Sequence, residues 1–300
     1  MADTIKADGF INYQLSLCAH ELSETLKSEI LFIKSPIYSR LDDMVRIEIE
    51  RVVENVKSRK KLLPRLTVVL ETDGGLIEVV ERISNVFRNH FREVDFIVPS
   101  YAYSAGTVLV LSGDRIYMDY YSVLGPIDPQ VQNDQGKLIP GMGYLYKYEA
   151  LIEKSRKNEL TDAEMLFLTK RFDPVQMYVI EQSKSHAEEL IKEWLPKYKF
   201  KHWVVTETKK NPVTLKMKKE RAGQIAEVLG DASRWHSHGR GISMRELRKK
   251  DIKLVIDDFS REKELNYQVR QYYDLFTDFC VKMDAKYALH TKYGPMRVIA

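Results

Sequence analysis

Two turns that carry small residues, each between a predicted strand and a predicted helix, follow one another closely in the first half of the chain. The first joins the apolar run 66–70 to an amphipathic helix through Thr72-Asp73-Gly74-Gly75. The second joins the apolar run 96–98 to another helix through Tyr103-Ser104-Ala105-Gly106-Thr107. Continuous apolar strands that alternate with helices are typical of a parallel sheet buried on both faces. The sequence therefore predicts an α/β layer structure.

The same two turns offer the residue types that acyl transfer requires. Ser104 lies where a strand gives way to a helix, which exposes its hydroxyl at the positive end of the helix dipole. Gly74 and Gly75 can turn backbone N–H groups towards an anion. A nucleophile and an oxyanion hole are thereby indicated. Each turn also has a purely structural interpretation, with Ser104 as a helix N-cap and the glycines relieving steric crowding.

Composition narrows the class of protein. The 44% hydrophobic and 30% charged content is that of a globular domain, and the net charge of +4 gives no general argument for nucleic-acid binding. Cys18 and Cys280 have no metal-ligand spacing. There is no signal-peptide pattern, and no apolar run approaches the roughly 20 residues that span a bilayer. We therefore expect a cytoplasmic protein without a membrane span.

The chain resembles the Clp/crotonase-fold serine peptidases, and most closely the signal peptide peptidase A and serine dehydrogenase proteinase-like group. The likeness rests on the two turns and on Ser122-Val123-Leu124-Gly125-Pro126-Ile127-Asp128-Pro129-Gln130. A weaker match is Arg234-Trp235-His236-Ser237-His238-Gly239-Arg240-Gly241-Ile242. The resemblance implies an α/β fold, a Clp/crotonase-like spiral of ββα units with added N-terminal and C-terminal helices.

The resemblance covers about residues 64–258 and so divides the chain into three parts. Residues 1–60 are predicted to be an N-terminal helical extension, 61–258 the Clp/crotonase-like serine peptidase domain, and 259–300 a C-terminal helix and tail. Within the domain, 192–221 is a basic insertion, interpreted as a solvated surface segment or as a patch for a partner or nucleic acid. The alternating apolar run 252–256 predicts a strand.

The resemblance also implies the roles of the site residues. Ser104 is the expected nucleophile, Gly74 or Gly75 contributes one oxyanion-hole N–H, and Ala105 contributes the other. No metal or organic cofactor is required, the partner is a peptide or protein substrate, and homo-oligomers are expected, whereas nucleic acid is not. Asp73 stands where relatives carry proline. It either caps the next helix, which we favour, or points into the site and opposes catalysis.

The sequence leaves several candidates for the general base. The peptidase A branch uses a lysine from a later helix, and the Clp branch uses a histidine soon after the nucleophile. No histidine lies between His90 and His186. Since a buried lysine can have its pKa lowered towards neutrality, Lys154 is predicted to form a dyad with Ser104. The alternatives are neighbouring lysines or a distant histidine: Lys147, Lys157, His236 and His238.

Two rival functions share this fold. A catalytically inactive scaffold or interaction protein would explain Asp73 and the unsettled base. A crotonase-type acyl-CoA enzyme would use the paired N–H groups to polarise a thioester, but it gives Ser104 no role. Reaction with a mechanism-based serine probe separates the peptidase from both.

Overall fold

The computed structural model describes residues 6–56, 62–132 and 138–299. Its strands are β1 (Glu29–Lys34), β2 (Leu63–Glu71), β3 (Phe91–Ile97), β4 (Tyr101–Ala102), β5 (Arg115–Met118), β6 (Val123–Leu124), β7 (Gln130–Gln132), β8 (Leu138–Pro140), β9 (Ile242–Ser243), β10 (Asp257–Asp258), β11 (Tyr287–His290) and β12 (Arg297–Ile299). Its helices are α1 (Ala7–Leu26), α2 (Leu41–Val56), α3 (Ile77–His90), α4 (Ala105–Leu111), α5 (Gly141–Arg156), α6 (Asp162–Arg171), α7 (Pro174–Lys197), α8 (Leu215–Gly230), α9 (Ala232–Trp235), α10 (Met244–Leu247) and α11 (Lys263–Lys282).

The core is built on a seven-stranded sheet in the order β10-β5-β3-β2-β1-β11-β12. The strands from β10 to β1 run parallel, and β11 and β12 add antiparallel pairs at one edge. Phe32 and Val69 point to a layer made with α1 and α11, whereas Leu31 and Val68 point to the larger core made with α2, α3 and α4. Burial on both faces explains why the central strands read as continuous apolar runs.

A second, smaller sheet in the order β4-β6-β9 lies at the carboxyl ends of the main strands. The chain passes from β3 in the large sheet to β4 in the small sheet and then into α4, and it passes again from β5 to β6. Thr72 extends the same pattern after β2, since it forms a parallel bridge with Ala102. This repeated strand-strand-helix path confirms the predicted α/β fold of ββα units.

The terminal segments add helices and also strands. α1 and α11 cover one face of the large sheet. β1 pairs in parallel with β2, and β11 pairs with β1 on its other side. The sequence indicated a tail after α11, whereas the structure has two sheet strands there. The division at residues 60 and 258 stays a prediction.

The predicted strand at 252–256 is wrong. Ile252, Leu254 and Ile256 are buried in alternation, as a strand pattern requires. However, Lys253 has a φ of 49°, which breaks the extended backbone, and the strand pairing begins only at β10. Alternating burial therefore arose without a ladder of hydrogen bonds.

Part of the basic insertion packs onto the body of the protein. The Lys201 ammonium lies 3.0 Å from Glu93 Oε1 and 2.5 Å from Asp114 Oδ1, at the start of β3 and just before β5. These ion pairs attach the segment to the edge of the sheet. No helix among the described residues has both the length and the apolar character needed to cross a bilayer.

Candidate active site

The small sheet brings three distant stretches of chain to one edge. β4 and β6 are parallel, so the residues that follow both strands leave at the same end. β9 is antiparallel to β6, so the residues that precede β9 arrive at that end. Ser104 follows β4, Asp128 follows β6 and His238 precedes β9. We call this end, defined by those three residues, the Ser104 edge.

Ser104 has a backbone conformation that residues other than glycine rarely adopt. It lies between β4 and α4 with φ of 53° and ψ of −120°. Such a conformation costs of order 1–3 kcal/mol and persists only where its surroundings enforce it. Among the described residues its hydroxyl forms no cap to α4, so the interpretation of Ser104 as a side-chain N-cap is wrong. The hydroxyl instead stands on a sharp strand-to-helix turn, which resembles a nucleophile elbow.

Two glycines contact the Ser104 turn closely. A Cβ added to Gly74 would lie 2.7 Å from Ser104 Cβ, and one added to Gly125 would lie 3.0 Å from the Ser104 nitrogen. Gly74 also has a φ of +93°, which disfavours any residue with a side chain. The sequence singled out Gly74 for its N–H group, whereas the structure explains this glycine by its positive φ and its close contact with the Ser104 turn.

A buried hydroxyl ties the nucleophile turn to the next strand. Thr107 Oγ1 lies 2.9 Å from the carbonyl oxygens of both Ala102 and Gly125, and it accepts the Gly125 N–H at 3.0 Å. The Thr107 side chain is fully buried. Because this group joins the end of β4, the first turn of α4 and the residue after β6, it stabilises the geometry around Ser104.

Two backbone N–H groups beside Ser104 are free. The Gly74 N–H donates to Thr72 Oγ1 at 3.1 Å and is therefore occupied. Within residues 6–56, 62–132 and 138–299, the N–H groups of Gly75 and Ala105 have no acceptor. The Ala105 nitrogen lies 3.2 Å from where a Gly74 Cβ would stand, next to the Gly75 peptide. Paired free amides beside a hydroxyl are what an oxyanion hole needs.

The loop that carries Gly75 is held by Ile37, which follows β1. The Ile37 N–H donates to the Gly74 carbonyl at 2.7 Å, and the Ile37 carbonyl accepts the Leu76 N–H at 2.7 Å. A Cβ on Gly75 would lie 2.0 Å from that Ile37 oxygen, and the φ of Gly75 is +144°. These contacts fix the Gly75 peptide and explain the second glycine.

Asp73 does not cap the following helix, so that prediction is wrong. α3 begins at Ile77, its N-cap position is Leu76, and no side chain among the described residues caps it. The Asp73 carboxylate is exposed and lies near the Tyr101 phenol. Burial, together with the nearby negative charges of Glu71 and Asp73, raises the pKa of the Tyr101 phenol well above its usual value.

Asp128 and His238 form a nearly buried pair at the Ser104 edge. His238 Nδ1 lies 2.9 Å from Asp128 Oδ1, and the two side chains are 9% and 1% exposed. Asp128 Oδ2 has no partner in the part of the chain that the structure describes. With Nδ1–H donating to the carboxylate, a neutral imidazole presents Nε2 as an acceptor. This is the arrangement that orients a histidine base in serine hydrolases.

The predicted lysine base occupies a different kind of environment. Lys154 lies in the last turn of α5, is 50% exposed, and its Nζ is 2.6 Å from Glu164 Oε1. The hydrogen bond from Lys154 is the main reason that the pKa of the Glu164 carboxyl falls to about 2. Lys147 and Lys157 are exposed as well. The desolvation that would make a lysine a base is missing here, and the assignment of Lys154 stays a prediction.

The pairing of His238 with Asp128 was not predicted from the sequence. Both residues lie in stretches that carry the family resemblance, but they are 110 positions apart, and no local pattern connects them. His236, the neighbour of His238, is exposed and ends α9 with a φ of 62°. Only His238 of this pair has a carboxylate partner among the described residues.

Comparison with known families gives one long match. A model of the ClpP-like SDH-type serine proteinases matches residues 25–274. Two uncharacterized proteins of Methanocaldococcus jannaschii are also similar. The first is 37% identical over 82 residues, which cover 27% of this chain and 28% of the relative. The second is 28% identical over 165 residues, which cover 55% of this chain and 50% of the relative. The chain thus spans half or less of the length of these relatives.

The solved structures that match include two proteases with little sequence likeness to this chain. A membrane-bound stomatin-specific protease, 1510-N, solved with a substrate peptide, is 14% identical with a TM-score of 0.44, covering 79% of this chain and 78% of its own. ClpP1 from Listeria monocytogenes is 13% identical with a TM-score of 0.43, and the match covers 81% of this chain and 99% of ClpP1.

Proposed function

The chain belongs to the family of ClpP-like SDH-type serine proteinases, and on that basis we propose that it hydrolyses peptide bonds with Ser104 as nucleophile and His238 as general base. The observation that carries the proposal is the Ser104 edge. A strained serine, a histidine held by a buried carboxylate and two free amides lie at the same end of a three-stranded sheet. Each group has the chemistry that acyl transfer requires.

Asp128 supports His238 as the base in two ways. Its hydrogen bond to Nδ1 selects the tautomer whose Nε2 can accept a proton, and its negative charge stabilises the imidazolium that then forms. The carboxylate is 1% exposed, so water screens this attraction weakly. An exposed lysine that is already paired with a glutamate has neither advantage.

The proposed reaction follows from these positions. Ser104 Oγ bonds to the carbonyl carbon of the scissile peptide while its proton moves to His238 Nε2. The carbonyl electron pair becomes an oxyanion that accepts hydrogen bonds from the Gly75 and Ala105 N–H groups, each of which contributes about 3 kcal/mol in comparable sites. The C–N bond then breaks and His238 returns the proton to the leaving amine. Water, deprotonated by His238, releases the acyl group from Ser104 as a carboxylic acid.

The Ser104–Lys154 dyad remains the competing assignment of the base. It requires Lys154 to leave Glu164 and lose its exposure before it can accept a proton. A rearrangement of α5 and α6 on substrate binding or on assembly would be needed. The two assignments share Ser104 and the oxyanion donors, so they differ only in which variant loses activity.

Fluorophosphonate labelling of the purified chain, followed as a rate constant, tests the proposal. The variants share one purpose, which is to remove one candidate group each: Ser104→Ala, His238→Gln, Asp128→Asn, Lys154→Ala and, as the matched control in the same loop, His236→Asn. We expect no labelling without Ser104. Loss of a general base lowers the rate by about 10²–10⁴-fold, and we expect this for His238→Gln. Lys154→Ala and His236→Asn should label as the wild type does.

The opposite pattern has a clear meaning. A loss in Lys154→Ala with wild-type labelling in His238→Gln assigns the base to the lysine. A wild-type chain that is folded but does not label would favour the inactive scaffold or the acyl-CoA enzyme, and acyl-CoA binding then separates those two.

We also propose that the protein acts as a homo-oligomer on peptide or protein substrates in the cytoplasm. α6 supports self-association, because none of its side chains is buried in the described part of the chain. Three consecutive apolar residues lie exposed on it: Met165, Leu166 and Phe167. Such a surface normally contacts another protein.

A further inference from the structure

A short parallel ladder presents a row of side chains next to the nucleophile turn. Thr72 pairs in parallel with Ala102, the second residue of β4. Glu71 and Asp73 therefore lie opposite Tyr101 and Tyr103, respectively. Because side chains alternate between faces, Asp73 shares a face with Tyr101 and Tyr103. Tyr103 immediately precedes Ser104. This face therefore ends at the proposed nucleophile.

The aromatic part of the row is preorganised. The rings of Tyr101 and Tyr103 stack with centroids 5.1 Å apart and planes 23° from parallel. The Tyr103 ring lies over Gly125, where a Cβ would stand 2.6 Å from its Cδ1 atom. Both rings are partly exposed. The face of an aromatic ring attracts a cation.

The carboxylate in this row lacks a positive partner. Asp73 is exposed and pairs with no lysine or arginine in the described portion of the molecule. Glu71 on the same face differs, because it is buried and pairs with Lys34 while accepting the Tyr273 hydroxyl. Asp73 is thus the uncompensated anion of this face.

An uncompensated carboxylate matters at this position because Gly74, the next residue, contacts Ser104. A fixed negative charge there opposes the oxyanion that forms when Ser104 attacks. A cation on the substrate would remove that opposition and bind at the same time. We propose, resting on the proposed function, that Asp73 with the rings of Tyr101 and Tyr103 determines specificity for a lysine or arginine side chain next to the scissile bond.

Two phosphonate probes test this inference on the full chain. One carries a lysine side chain next to the phosphorus and the other carries norleucine, which has nearly the same shape and no charge. Their second-order inactivation rate constants are measured for the wild type, Asp73→Asn and the control Glu78→Gln, which removes an exposed carboxylate from the first turn of α3. We expect the wild type to react about two- to fivefold faster with the lysine probe, as for an ion pair with an exposed carboxylate.

The decisive result is a change of opposite sign. Asp73→Asn should react more slowly with the lysine probe and faster with the norleucine probe, whereas general damage to the site would slow both. Glu78→Gln should keep the wild-type preference. Equal rates for the two probes, no reaction with either probe in a chain that fluorophosphonate labels, or a preference that survives in Asp73→Asn overturns the inference. Failure of fluorophosphonate itself to label the wild type overturns the proposed function, and this inference with it.

Discussion

Replacing Gly125 with alanine tests whether the space around Ser104 sets the reactivity of its hydroxyl. The added Cβ would lie 2.6 Å from Tyr103 Cδ1, 2.9 Å from Tyr103 Cα and 3.0 Å from the Ser104 nitrogen. Non-bonded heavy atoms prefer separations of about 3.5–4.0 Å, so these contacts are too short by about 0.5–1.4 Å. Two of the three contacts are with backbone atoms, which rotation of a side chain cannot relieve.

The expected effect follows from that displacement. A misplacement of about 1 Å in a catalytic group can lower a rate by about 10²-fold, and we expect the fluorophosphonate labelling rate of Gly125→Ala to fall by about 10–100-fold. Overpacking at a tight contact costs about 1–3 kcal/mol, so the variant should remain folded with a lower midpoint of thermal unfolding. Labelling rate and thermal unfolding are measured on the same preparation.

Gly143→Ala is the matched control. Gly143 lies in the first turn of α5, and a Cβ there meets no described atom within 4 Å. Alanine stabilises a helix relative to glycine by about 0.5–1 kcal/mol, so this variant should unfold at the same or a slightly higher temperature and label normally. If Gly125→Ala is folded and labels as fast as Gly143→Ala, close packing against the Ser104 turn does not control reactivity.

Two further predictions concern groups that hold the fold around the site. Thr107→Val should lower the free energy of unfolding by about 1–3 kcal/mol and slow labelling, because it leaves the Gly125 N–H without its acceptor. Thr107→Ser keeps the hydroxyl and should therefore keep the stability and the labelling rate. Equal stability of the two variants in a urea titration would contradict this. Burial raises the pKa of Asp95 to about 6, above its ordinary value of about 3.9, so its contribution to stability is full below about pH 4 and is lost as the pH rises through the folded value. Between about pH 4 and pH 8 the wild type should therefore lose about 3 kcal/mol of unfolding free energy relative to Asp95→Asn, and parallel pH profiles would refute the assignment.

Local patterns predicted the central strands because burial on both faces leaves a simple mark. The apolar runs 66–70 and 96–98, which precede the two turns, lie in β2 and at the end of β3. The run at 252–256 shows that an alternating apolar pattern does not always form a strand. Its alternation reports which side chains are buried, and a strand additionally needs a neighbour with free backbone groups. The structure meets the first condition at Ile252 and Leu254 without the second.

The site was predictable to the extent that it is local. Ser104, Gly75 and Ala105 lie in two short turns, and their residue types indicate a serine nucleophile and backbone N–H donors. Asp73 was misinterpreted because its surroundings depend on the bridge of Thr72 to β4, which places Asp73 on the same face as Tyr101. A carboxylate before a helix normally indicates a cap, and nothing in the nearby sequence signals a phenol across the ladder.

His238 shows how strongly the site depends on one non-local pairing. β9 is only two residues long, yet its antiparallel direction relative to β6 decides at which end of the small sheet the preceding loop arrives. A parallel β9 would carry His238 to the opposite end, away from Asp128 and Ser104. Gly241, just before β9, lets the chain come close to Val123 in β6, because a Cβ at this position would lie 2.8–3.0 Å from three side-chain atoms of Val123. The direction of this two-residue strand, which Gly241 permits, therefore determines whether His238 lies at the same end of the small sheet as Ser104.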